Sequence, residues 1–233
     1  MLSLAHITTF TPLGATPLPG GGVTFRVWAP RATAVYLNGT FGANTYVLDD
    51  THARLVKDAA GYWAGFESEA KTGDEYTFYV VNATQGHKRD PYARQLKETG
   101  FPDSSSIVCD PAAYPWHDGA FQTPDFSNLV VYQIHIGTYA ISRPGVASNF
   151  LDVVGKIPYL QALGINMLQP MPIDEQETNP SMGYGGADLF SPDFPYVCTD
   201  AALLCDYLAI INKMLDSKGQ APVQLSDITP GPN

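Results

Sequence analysis

Between Gly20 and Ala83 apolar residues come in short runs broken by Gly, Asn and Asp, and several of these runs alternate strictly. Val23, Phe25 and Val27 alternate with Thr24, Arg26 and Trp28, and Tyr76, Phe78 and Val80 flank Thr77 and Tyr79. A period of two is that of a strand with one face buried. The runs "GVTFRVWAP", "TAVYLNG", "TYVLDD", "HARLVKD", "GYWAGFE" and "GDEYTFYVV" recur at even spacing with no helical period among them. The pattern predicts an antiparallel β-sandwich. After it, residues 84–127 are rich in Pro, Asp, Gly and Ser, but Tyr92, Tyr114, Trp116 and Phe121 make the stretch too apolar for a free linker. It reads as an ordered connector whose aromatics pack at a domain interface.

Past Asn128 the pattern changes. "LVVYQIHI" is an almost unbroken apolar run, which predicts a strand buried on both faces, as in a parallel sheet. In "ASNFLDVVGKIPYLQALG", Phe150, Val153, Val154, Ile157 and Leu160 recur at helical spacing, with Ser148 or Asn149 as N-cap and Gly164 as stop. Pro158 has no N–H to give and should bend or restart that helix. "INMLQPMP" reads as a second buried strand, so the order is β, α, β with two adjacent parallel strands. Thr199 to Lys218 predicts a further amphipathic helix ended by Gly219. Two parallel strands cannot close a barrel, for which eight are needed. The second half therefore reads as the start of a larger domain, and the domains expected are an extension at 1–19, the sandwich at 20–100, a connector at 101–127 and a partial α/β domain at 128–233.

Composition narrows the chemistry. The net charge of −10 disfavours phosphate-backbone binding, so no nucleic-acid partner is expected. No apolar run approaches the roughly 18 residues of a membrane span, so no membrane partner is expected. The amino-terminal "MLSLAHITTF" lacks a basic segment before its apolar part, which argues against a secretory signal. Cys109, Cys198 and Cys205 are odd in number and show no CxxC spacing; reduced thiols in a cytoplasmic protein are the expectation. The five histidines are scattered and suggest no metal site.

"GGVTFRVWAP", "GYWAGF" with "GDEYTFYV", "KRDPYAR", "LVVYQIHIGTY", "IPYLQALGINMLQPMPI" and "GYGGADLFSP" occur in the order found in the α-amylase superfamily, which the chain resembles. The resemblance is nearest to its branching enzymes, maltooligosyl-trehalose trehalohydrolases and debranching enzymes, and spans about Gly20 to Pro195. It implies an immunoglobulin-like sandwich of the glucan-binding type followed by the first βαβ portion of an incomplete (β/α)8 barrel. Gln133, Met182 and Val197 stand where that family usually has Glu, Trp and Gly. The family's nucleophilic Asp, acid/base Glu and stabilising Asp close later barrel strands, and none maps onto this chain. Retaining glycosidic chemistry needs two carboxyl groups roughly 5 Å apart. The acids of "IDEQE", Asp174, Glu175 and Glu177, have no family counterpart and read as a solvated loop. The chain alone is expected to be catalytically silent.

The resemblance makes Tyr184 the platform for a glucose ring, which a flat aromatic covers well while neighbouring glycines let the chain approach. Asp188 is expected to orient that loop through an Asx-type bond. His135 reads as a hydrogen-bonded core group rather than a ligand. Trp28 and Trp63 are either a glucan-binding pair or core and interface residues, and burial is the commoner use of large aromatics. In "KRDPYAR", Asp90 should cap a turn, Pro91 fix it and Arg94 pair across an interface. The implied partner is an α-1,4-glucan such as glycogen, starch or a maltooligosaccharide, with no cofactor. Branching is the activity expected of the parent; trehalose release, debranching, or glucan binding without catalysis are the alternatives.

Overall fold

The computed structural model describes residues 1–42, 48–97, 104–114, 116, 118–177 and 183–197. The helix expected over Thr199–Lys218, the first half of the "TYVLDD" strand, Met182, Cys198 and Cys205 lie outside the described residues. The chain divides into two compact units. The first holds residues 1–111 with a later hairpin; the second holds Ala112–Ile173 together with the described residues 183–185 and 193–197.

In the first unit, β1 (Gly14–Pro17), β2 (Val23–Trp28), β3 (Ala34–Gly39), β4 (Val56–Lys57), β5 (Tyr62–Glu67), β6 (Glu75–Val81), β7 (Gln85–Lys88) and β8 (Ser106–Ile107) form two antiparallel sheets. One runs in the order β1-β2-β5-β4; in the other β6 lies between β3 and β7 and also pairs β8. The alternation read from the sequence is what makes them a sandwich. Val23, Phe25, Val27 and Trp63 from one sheet meet Val35, Leu37, Tyr76 and Phe78 from the other in a single buried core. Phe25 and Tyr76 touch edge to face at 5.1 Å, the geometry that ring quadrupoles favour.

Two strands fall outside the expected bounds of the sandwich. β1 comes from the stretch set aside as an extension, because Gly14 to Pro17 pair with Val23 to Arg26. β8 comes from the supposed connector and, like β7, hydrogen-bonds to the edge of β6, which would otherwise stay unpaired. Tyr114, Trp116 and Phe121 are exposed rather than packed.

The same unit includes β11 (Asp174–Gln176) and β12 (Gly186–Pro192), an antiparallel pair with two register shifts. Of the acids of "IDEQE", Asp174 and Glu175 are thus not in a solvated loop, whereas Glu177 lies past the strand and is exposed. Asp174 and Glu175 are half-buried and Gln176 is buried, because the segment pairs with β12.

The second unit contains β9 (Val131–Ile134), α1 (Ile136–Tyr139), α2 (Phe150–Val154), α3 (Ile157–Ala162) and β10 (Met167–Pro170). β9 and β10 are parallel, with Val131 opposite Met167 and Ile134 opposite Pro170. Asn149, not Ser148, caps α2: its side chain accepts from Leu151 and Asp152 N–H while Asp152 accepts from Asn149 N–H, a complete capping box. Pro158 sits in the first turn of α3, so the helix restarts there. At the other end Gly164 takes a φ of +81°, and the Gly164 and Ile165 N–H groups return to Gln161 and Leu160. Ile134, Ile136, Val153 and Tyr196 form a small core. Val130, Val131 and Tyr132 stay exposed, contrary to the expected burial on both faces, since among the described residues this sheet has only two strands.

Candidate functional site

Tyr184 lies two residues before β12 and is 71% exposed. Gly183 before it has a φ of +89°, and a Cβ there would stand 2.8 Å from the Pro172 carbonyl oxygen. Only glycine suits that backbone. At Gly186 a Cβ would meet the Asp174 carboxylate, the movable end of a side chain, so the constraint there is weaker. The ring is thus presented by a loop with no spare room beneath it.

Asp188 does not make the expected Asx bond to its own loop. It lies on β12, 4% exposed, with Oδ2 3.5 Å from Arg89 Nη1. Burial raises its pKa and the Arg89 charge opposes the rise. The reason for the difference is tertiary: β12 lies against the sandwich, where Ser191 Oγ donates to the Ala93 carbonyl at 2.8 Å and Phe190 stacks on Tyr92 at 4.8 Å. Arg89, and not Arg94, supplies the cation of "KRDPYAR". Asp90 does cap its turn: Oδ1 accepts from Tyr92 N–H at 2.9 Å, and Oδ2 from the Tyr76 hydroxyl at 2.6 Å. Asp90 is fully buried, and burial pushes its carboxyl up to about 6 despite these two donors.

The two tryptophans separate. Trp63 is buried, its indole N–H donating to the Ala29 carbonyl at 2.9 Å, so it belongs to the core. Trp28 is 58% exposed, its N–H held by the Ala60 carbonyl at 3.3 Å. It lines a groove of 810 Å³, together with His87, Lys88, Arg89, Tyr92, Asp188 and Phe190 among others, all within the first unit. His135 is half-buried between Tyr196, whose hydroxyl lies 3.2 Å from Nε2, and Thr138, whose hydroxyl lies 3.2 Å from Nδ1. Both ring nitrogens therefore have a hydroxyl neighbour from the second unit itself.

The sequence does not single out Arg89, Tyr92 and Phe190 as parts of one groove. Its signal is the basic and aromatic turn "KRDPYAR", whose partner lies about a hundred residues away. The residues lining the groove include a single carboxylate, that of Asp188, so the groove can bind but not cleave by a carboxylate pair. Cys109 is inert: its S–H points at Gln95 Oε1 and burial pushes the thiol up to about 11. Among the described residues no group of three or more His, Cys, Asp or Glu could hold a metal ion, and no helix is long and apolar enough to cross a membrane.

Residues 12–93 match the family model for carbohydrate-binding module 48, the isoamylase N-terminal domain. The 1,4-α-glucan branching enzyme of Photobacterium profundum is 31% identical over 183 residues, covering 75% of this chain and 25% of that protein. The malto-oligosyltrehalose trehalohydrolase of Deinococcus radiodurans is 30% identical over 189 residues, covering 80% and 28%. The chain thus spans about a quarter of the length of these relatives. Among solved structures, the pullulanase SAP of Group B Streptococcus in complex with maltotetraose shares the fold at a TM-score of 0.62 and 20% identity, over 84% of this chain and 30% of that one. Residues 12–93 thus carry the pattern of carbohydrate-binding module 48, in a chain that over at least three quarters of its length is similar to branching enzymes and to a malto-oligosyltrehalose trehalohydrolase.

Proposed function

We propose that this chain is a part of an α-glucan-active enzyme of the branching type, in which residues 128 onward begin a (β/α)8 barrel and Tyr184 is the platform under a glucose residue. The observation that carries the reading is the presentation of Tyr184: 71% exposed and preceded by Gly183, whose backbone admits no side chain. A pyranose offers one face of C–H bonds, and an exposed ring fixes that face without demanding a hydrogen-bond angle. The parallel β9–β10 pair with its helical crossover supports the barrel reading, since in such domains ligands gather at the carboxyl ends of the strands. The names of the relatives supply the substrate class, an α-1,4-glucan. The burial of Asp90 and Asp188 and the place of Asp174 and Glu175 in a strand support reading this chain as catalytically silent. This chain by itself is a substrate-contacting part without the chemistry.

The test is to express the product of the whole reading frame and follow the loss of iodine colour from amylose, which branching causes without releasing reducing sugar. Tyr184→Ala should lower the rate about tenfold or more, the effect of misplacing one reacting ring. Trehalose release in place of branching would select the trehalohydrolase alternative. Activity in the purified 233-residue chain would overturn its assignment as silent.

A further inference from the structure

We propose that Arg89 is a positioning residue for Tyr184: by holding Asp188 it fixes the start of β12, from which Tyr184 is separated by Gly185 alone. The inference rests on the reading of Tyr184 as the sugar platform, but it concerns a side chain of the sandwich that acts on that ring through the chain.

The anchors of β12 converge on one turn of the sandwich. Asp188 meets Arg89, Phe190 stacks on Tyr92, and Ser191 donates to the Ala93 carbonyl. That turn is itself held: Asp90 N–H donates to Ser106 Oγ at 3.0 Å, the Asp90 carboxylate takes the Tyr76 and Tyr92 donors, and Arg89 Nη1 lies 3.5 Å from Ser104 Oγ. Of the three anchors the ion pair is the nearest to Tyr184 along the chain. It is also the driest, with side-chain exposures of 12% for Arg89 and 4% for Asp188, so solvent screens it little. Asp188 Oδ1 has no hydrogen-bond partner among the described residues. Without Arg89 the carboxylate would be a buried charge lacking compensation, and relief would come from moving β12 toward water. On the other side of the ring, Gly183 is confined by its φ of +89° and by the Pro172 carbonyl. A constrained entry and a pinned exit leave the ring little freedom, and releasing the exit releases Tyr184.

Two measurements test this. In the 233-residue protein, amide exchange read by mass spectrometry should be about tenfold faster over residues 183–192 in Arg89→Met, with a smaller change over β2. No change over 183–192, or an equal change in both segments, overturns the proposal, since equal loosening is a loss of overall stability. In the product of the whole reading frame, Arg89→Met should lower the branching rate about tenfold, as displacement of a reacting group does. In a Tyr184→Ala background the same substitution should cost less than about twofold, because a residue acting through the ring then has nothing left to act on. A full loss in that background shows that Arg89 acts elsewhere and overturns the proposal. Should Arg89→Met fail to fold, Arg89→Lys, which keeps the charge but loses the planar fork, carries the same cycle with a loss of about threefold. Tyr184→Ala that leaves the rate unchanged overturns the platform reading alone, while faster exchange over 183–192 in the Arg89 variant still bears out the hold on the loop.

Discussion

Asp90→Asn should change the pH dependence of stability more than any other single substitution in the sandwich. Asp90 has no exposed surface, and its carboxyl stands at about 6 instead of 3.8. Desolvation is the largest cause. It exceeds the effect of the Tyr76 and Tyr92 donors, and the nearby Asp188 charge adds to it. Below about pH 4 Asp90 is protonated in both the folded and the unfolded chain and has no linked effect. As pH rises from about 4 to 6, the unfolded chain releases the proton while the folded chain keeps it, so stability falls. At about 1.4 kcal/mol per pH unit the loss is about 3 kcal/mol by pH 7. The substituted asparagine keeps the shape and the acceptor for Tyr92 N–H but does not titrate. Urea unfolding at about pH 4, 5, 6 and 7, followed by Trp63 emission, should therefore show the variant gaining about 3 kcal/mol on wild type across that range. The comparison with the variant is essential, because Asp49, Asp50 and Glu75 act the other way. Hydrogen bonds from His52, Tyr36 and Lys97 respectively hold those three below their ordinary values, so their stabilisation is lost as pH falls. Parallel curves for wild type and variant would mean that Asp90 is ionised in the fold and that its two donors outweigh burial.

Arg89→Met should destabilise the first unit by about 3–5 kcal/mol, since it leaves Asp188 buried without its cation, whereas Arg89→Met with Asp188→Leu should recover most of that loss; a double variant as unstable as the single one would deny the ion pair any role. Trp63→Ala should cost about 3–5 kcal/mol in urea unfolding followed by circular dichroism, and an unchanged midpoint would contradict its place in the core. Asn149→Ala removes the capping box of α2 and should cost about 1 kcal/mol, read as faster amide exchange over residues 150–154; unchanged exchange would show that tertiary packing alone holds that turn.

The sandwich is legible in the sequence because its strands alternate, and alternation is imposed by having one face on a core. The second unit is legible through its helix punctuation: Asn149, Pro158 and Gly164 act as cap, restart and stop. The β11–β12 hairpin is not. "IDEQE" and "GADLFSP" show no period of two, because the register slips between Asp174 and Glu175 and again before Gln176. Its attachment to the sandwich is longer in range still: Ser191 and Ala93 are 98 residues apart. No local pattern carries that information, so the sequence alone puts Asp188 in a loop when it is a buried strand residue.

Trp28 and Trp63 show how much the alternation already contains. Both sit in aromatic-rich motifs, and burial as the default use of tryptophan favours the core for both. Yet the alternation in β2 sets Trp28 with Thr24 and Arg26, opposite to Val23, Phe25 and Val27. Pairing then extends that assignment across the sheet: Val27 faces Trp63 and Trp28 faces Tyr62, and residues opposite each other share a face. Trp63 must point inward with Val27 and Trp28 outward with Tyr62, which in turn has the Arg26 guanidinium over its ring at 4.2 Å. A one-residue slip of β5 against β2 would exchange the two tryptophans. The groove therefore depends on register: the same pairing that buries one indole in the core turns the other toward solvent.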